Sequence, residues 1–116
     1  MNADQNVKFQ EEKNGKVVIL RIDGRIDAVT SPSTEKKILG YIKPDQNNLL
    51  LDLTKVSYMS SAGLRVIVTV AKKISESSGK LVLFSLTPFV KELLKASHLD
   101  QVFEIADSEE KALRKF

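Results

Sequence analysis

The sequence predicts an α/β protein with a mixed, mostly parallel β-sheet of about five strands and about four α-helices, in the order ββαβαβαβα. Three observations carry this expectation. Short apolar runs rich in Val, Ile and Leu recur at Val17–Ile22, Leu49–Leu53 and Leu81–Phe84. They are too short for helices and nearly unbroken, as strands covered on both faces are. Between them, apolar residues recur at helical spacing, as at Leu64, Ile67, Ala71 and Ile74. Finally, Ser31-Pro32 and Thr87-Pro88 each set a capping hydroxyl before a proline, a helix-start signal.

Taken in order, Val7–Glu12 and Lys16–Asp23 read as two strands joined at Asn14-Gly15, a hairpin turn pair. Gly24–Thr30 reads as a loop before a helix that Ser31 caps. Ile38, Leu39 and Ile42 form that helix's apolar face, and Gly40 and Pro44 mark its decay. Asn48–Leu53 is the third strand, followed by a loop over Thr54–Ser60. A long helix over Ser61–Ser77 buries Leu64, Ile67, Ala71 and Ile74, thickened by Val66, Val68 and Val70, and stops at Ser78-Gly79. Lys80–Ser85 is the fourth strand. The helix opened by Thr87-Pro88 buries Val90, Leu93 and Leu94. Val102–Ile105 is a short fifth strand, and Asp107 or Ser108 caps a last helix with Ala112, Leu113 and Phe116 inward.

A chain of 116 residues, 42% hydrophobic and 28% charged, has the material for one domain, expected over residues 1–116. It has no cysteine and one histidine, His98, so disulfides, thiolate chemistry and a zinc site are not expected. Met1–Asn6 is polar and does not lead into an apolar stretch, so no signal peptide is expected. The longest apolar-looking stretch, Val66–Ala71, falls far short of the ~20 residues that span a bilayer. A cytoplasmic protein without membrane contact is the expectation. The net charge of +3 is spread among acids, as in Glu35-Lys36-Lys37, and the five Phe and two Tyr are scattered. A nucleic-acid footprint needs a concentrated basic stripe, so no direct nucleic-acid binding is expected.

Strands joined by helical crossovers run parallel, so their carboxyl ends share one edge, where ligands of such sheets usually sit. Three loops leave it: Gly24–Thr30, Thr54–Ser60 and Leu86-Thr87. In Ser57-Tyr58-Met59-Ser60-Ser61-Ala62-Gly63-Leu64-Arg65, two serines stand where a helix begins. Capping accounts for one of them, at ~1 kcal/mol. It does not account for the second, nor for Gly63, which costs ~1 kcal/mol inside a helix unless another group must approach closely. Ser61 and Arg65 share one helix face. Asp27, read alone, is a turn or capping residue. Asp52 reads as a backbone-bonded structural carboxylate. No glycine-rich phosphate loop, catalytic triad or dinucleotide fingerprint appears, so neither an enzyme nor a cofactor is expected.

Several segments resemble the STAS-domain family, and in particular its bacterial anti-sigma factor antagonists. They are Gly24-x-Ile26-Asp27-x-x-Thr30, Leu50-Leu51-Asp52-Leu53 with Val56-Ser57-Tyr58-Met59-Ser60-Ser61-Ala62-Gly63-Leu64, Thr87-Pro88-x-Val90, and Leu99 with Val102-Phe103. The resemblance spans nearly the whole chain. It implies a partner that is both anti-sigma factor and serine protein kinase, and a serine phosphatase (PP2C-like) that resets the switch. The family loop reads Asp-Ser-Ser/Ala-Gly-Leu, with the residue after aspartate phosphorylated. Here Ser60 takes the aspartate's place, Ser61 becomes the phosphoacceptor, and Ser60 is the alternative. The resemblance also implies partner binding through Asp27, Thr30, Ser60, Ala62, Gly63 and Arg65. Arg25 stands where the family often has glutamate, a departure that bears on partner identity. The competing expectation within the same family is a constitutive scaffold of a stressosome or of a lipid or solute transport system. Outside it stands a nucleotide-binding or nucleotide-hydrolysing enzyme, against which the absence of a phosphate loop counts.

Overall fold

The computed structural model describes residues 7–116, so Met1–Asn6, including the expected lack of a signal peptide there, lie outside it. The elements are β1 (Lys8–Asn14), β2 (Val17–Ile26), α1 (Ser31–Leu39), β3 (Asn48–Met59), α2 (Ser61–Glu76), β4 (Lys80–Phe84), α3 (Pro88–Ala96), β5 (Glu104–Ala106) and α4 (Glu109–Leu113). A single 3₁₀ turn, Leu99–Gln101, precedes β5. The five strands form one sheet in sequential order. β1 pairs antiparallel with β2, and every later neighbour is parallel. The expected mixed, mostly parallel α/β architecture and its element order are both present.

Alternation along the strands sorts the core into two layers. Val18, Leu20 and Ile22 of β2 and Leu49, Leu51 and Leu53 of β3 pack with Ile38 of α1, Val66, Ile67, Val70 and Ile74 of α2, and Val90 and Leu94 of α3. The opposite face, with Val17, Ile19, Leu50, Val82 and Phe84, is met by Ala112 and the partly buried Leu113 of α4. Three helices therefore cover one face and a single short helix the other. The thinly covered face carries a charged cluster. Arg21 donates hydrogen bonds to Glu12 of β1 at 2.7 Å and to Asp52 of β3 and Glu109 of α4, both at 2.9 Å. These carboxylates, Glu12 foremost, raise the guanidinium's pKa still further. Asp52 is thus structural, as expected, but its partners include Arg21 as well as the Thr54 N–H and hydroxyl.

Several boundaries differ from expectation. β2 continues through Gly24, Arg25 and Ile26, and β3 continues to Met59, so most of the two expected loops is strand. The extra length of β3 is irregular. Arg21 pairs with Asp52, Asp23 with Lys55 and Arg25 with Tyr58, so β3 gains a residue on β2 at each of two shifts. On the face that meets α1, α2 and α3 its buried positions run Leu49, Leu51, Leu53, Val56 and Met59, stepping by two and then by three. Along α2, Leu64 and Ala71 are only partly buried, and the deeply buried line is Gly63, Val66, Ile67, Val70 and Ile74. β5 starts two residues later than expected and leaves Val102 exposed. Thr30 rather than Ser31 is the N-cap residue of α1, and Ser108 caps α4.

Edge strand β1 alternates poorly and is almost wholly exposed, with Lys8, Glu11, Glu12 and Lys13 along it. At the amino-terminal end of β4, Gly79 lies against Asn47: a Cβ there would stand 1.9 Å from the Asn47 carbonyl oxygen, which accepts from Lys80 N–H at 3.1 Å. Gly79→Ala should therefore lower unfolding stability by about 1–3 kcal/mol in urea titrations, an overpacking cost set against backbone that cannot yield.

Candidate functional site

The site is built at the carboxyl edge, where the first turn of α2 is seated on the end of β2. Ser60 has extended backbone, its N–H donates to the Ile26 carbonyl at 2.9 Å, and its hydroxyl accepts from the Gly63 N–H at 3.3 Å. Gly63 is buried because it must be. A Cβ at this position would fall 2.4 Å from the Ile26 carbonyl oxygen and 2.7 Å from the Met59 side chain. The close approach that the sequence implies is thus made by the protein's own β2 backbone.

This geometry separates the two serines. Ser60 is half-buried and engaged as the cap, whereas Ser61 is exposed at the first helical position. Among the described residues no hydrogen bond holds the Ser61 hydroxyl, and the N–H groups of Ser61 and Ala62 have no protein acceptor. Free N–H groups at the positive end of a sixteen-residue helix favour an anion. Arg65, one turn on, is also exposed. Ser61 and Arg65 therefore present atoms outward, and Ser60 and Ala62 do so in part.

The other expected contact residues are placed differently. Asp27 Oδ1 accepts from the N–H groups of Val29 and Thr30, each at 3.0 Å. The Thr30 hydroxyl donates to the Arg25 carbonyl at 2.7 Å and accepts from the Asp27 N–H at 3.0 Å. Thr30 is only 5% exposed. Asp27 and Thr30 thus lock the turn from β2 into α1, and neither Thr30 nor the buried Gly63 offers a surface to a partner. The same bonds hold the Asp27 carboxyl below its usual 3.8: the Thr30 N–H acts most, partial burial opposes, and the Val29 N–H, Thr30 hydroxyl and Arg25 add to the lowering.

One feature of this edge was not singled out from the sequence. The Arg25 guanidinium lies over the Tyr58 ring, 4.3 Å from its centroid, and that ring packs against Phe89 at the start of α3, centroids 5.1 Å apart and tilted by 32°. Arg25 and Tyr58 are register partners of β2 and β3. The residue types could have suggested a contact, but the two shifts that bring Arg25 opposite Tyr58 could not be read from spacing. Among the described residues no three His, Cys, Asp or Glu side chains gather as metal ligands do. Among the described residues no helix is long and apolar enough to cross a membrane.

Comparison with known proteins places this geometry among relatives. The STAS-domain family model matches residues 8–112. The Anti-sigma-B factor antagonist of Listeria monocytogenes is 32% identical over 109 residues, covering 94% of this chain and 93% of the relative. The crystal structure of an anti-sigma factor antagonist from Mycobacterium paratuberculosis superposes with a TM-score of 0.86 at 23% identity, covering 99% of this chain and 97% of that one. The Bacillus protein SpoIIAA, solved in unphosphorylated and phosphorylated forms, gives TM-scores of 0.69 and 0.70 at 18% and 21% identity; each match covers 93% of this chain, and 96% and 98% of the respective SpoIIAA chains.

Two expectations follow from the geometry. Ser60→Ala removes a cap and should cost about 1 kcal/mol of unfolding free energy, whereas Ser61→Ala should stay within about 0.5 kcal/mol. In an NMR pH titration Asp27 should show a midpoint below 3.8. A depressed carboxyl stabilises the fold above its unfolded-state pKa and loses that contribution as pH falls through the folded value, so Asp27→Asn should flatten stability against pH on that acid limb.

Proposed function

The chain belongs to the STAS-domain family, and from that premise we propose that it is an anti-sigma factor antagonist switched by phosphorylation of Ser61. Unmodified, it captures an anti-sigma factor that is also a serine kinase, and so releases a sigma factor. That kinase phosphorylates Ser61, binding is lost, and a serine phosphatase resets the cycle in the cytoplasm. The observation that carries this reading is the division of labour at the start of α2: the Ser60 hydroxyl is committed to the cap and the Ser61 hydroxyl is exposed and unengaged.

The physical mechanism is a difference between the free and the bound protein. A phosphate brings about −1.5 to −2 charges. On the free protein it meets the unpaired N–H groups of Ser61 and Ala62 and the Arg65 side chain one turn away, so the fold tolerates it. Against a partner's surface the same group would be desolvated without a matching cation, which costs several kcal/mol. At ~1.4 kcal/mol per tenfold, a loss of about two to three decades in affinity follows. SpoIIAA, known in both forms, supports the view that this fold accommodates the modification.

Incubation with ATP and candidate anti-sigma kinases, followed by mass spectrometry, should place phosphate on Ser61 alone, with Ser60→Ala still modified and Ser61→Ala not. Ser61→Ala should keep wild-type affinity for the partner, and Ser61→Asp should lose about tenfold or more. Phosphate on Ser60, or equal affinity of the Ser61→Ala and Ser61→Asp proteins, would overturn the assignment. A partner bound equally by all forms, with no phosphate incorporated, would instead indicate a constitutive scaffold.

A further inference from the structure

We propose that the Arg25–Tyr58–Phe89 stack is the specificity anchor of the partner-binding edge, and that it selects a protein presenting a carboxylate beside an apolar side chain. The inference rests on the preceding reading only in taking this edge as the docking surface.

Two arginines of β2 show what distinguishes this one. Arg21 is committed to three carboxylates at 2.7–2.9 Å. Arg25 has a single carboxylate nearby, Asp27 Oδ2 at 3.8 Å from its Nε, too far for a good hydrogen bond. Among the described residues its terminal nitrogens have no acceptor, and its side chain is 62% exposed. Its guanidinium carbon lies 4.3 Å from the Tyr58 ring centroid. A guanidinium over an aromatic face still has N–H groups to offer, and its planar fork loses little freedom for each hydrogen bond it makes to a carboxylate.

The apolar half of the recognition lies alongside. Phe89, packed against Tyr58, is 48% exposed, and Val29 on the turn after β2 is 65% exposed. These are two of the three large apolar side chains exposed among the described residues, and both stand at the edge that carries Ser61. A single exposed apolar residue needs no explanation, but an aromatic pair beside an arginine held only by a long ion pair has the composition of an interface hot spot. Its positive charge is complementary to an acidic contact, and the surface is continuous with the start of α2, since Ile26, next to Arg25, carries the Ser60 N–H and seats Gly63.

A phage-displayed library of random linear peptides, selected on the immobilised protein, provides the test. Peptides enriched on wild type should carry Asp or Glu next to Leu, Phe or Met. Their retention should fall about tenfold or more on Arg25→Ala and on Tyr58→Ala, but not on Lys72→Ala, an exposed cation elsewhere on α2. Arg25→Glu should enrich basic peptides instead. Enrichment without acidic bias, or retention unchanged by Arg25→Ala, would overturn the proposal, as would a wild-type dimer in sedimentation that Arg25→Ala dissociates, which would assign the surface to a second copy. Selected peptides that still bind Ser61→Asp would uphold the anchor while counting against the Ser61 switch, so the two readings fail separately.

Discussion

The carbonyl oxygen of Ile26 is the point from which the functional edge is laid out. It accepts from Ser60, and the absence of a side chain at Gly63 lets the first turn of α2 come down beside it. A helix start fixed in this way cannot rotate without losing its cap or colliding with β2. Ser60 is consequently turned inward, and Ser61, one residue on, is turned outward. The chemistry proposed for the edge is thus set by a backbone contact. A methyl group at Gly63 would disturb the presentation of Ser61 more than most changes to the surface around it.

The same strand shows how one residue type is used in two ways. Arg21 lies beneath the short α4 and gathers carboxylates from β1, β3 and α4, tying together elements that share little apolar contact on that face. Such a cluster fixes geometry more than it adds net stability, because desolvation offsets much of the attraction. Arg25, four residues on, is left with an aromatic ring and one distant counter-ion, Asp27 at 3.8 Å. The first arrangement is internally closed, and the second has capacity left for an outside group.

Much of the fold was legible because local and global signals agree. The runs at Val17–Ile22, Leu49–Leu53 and Leu81–Phe84 and the cap-and-proline pair at Thr87-Pro88 fall where expected, and the first hairpin is present with its turn one residue later, at Gly15-Lys16. What could not be read is the carboxyl end of β2 and β3. Strands are recognised by a period of two, and β3 abandons it after Leu53, where the shifts against β2 leave Thr54-Lys55 and then Ser57-Tyr58 between buried positions. Of the site, the candidate loop and the significance of Gly63 were visible. The burial of Thr30 and the pairing of Arg25 with Tyr58 were not, because both depend on how those irregular strand ends meet.

The lateral limits of the sheet bear on how such a protein can meet others. On one side β1 lines its open flank with Lys and Glu, and on the other β5 is only three residues long. Neither flank is a good template for a visiting strand, since charge and brevity both discourage sideways growth. Recognition by β-augmentation is thereby disfavoured, along with the runaway stacking of copies that it invites. The encounter proposed for this protein is instead an end-on approach to the strand tips, where a change of one side chain's charge would decide whether the two surfaces stay together.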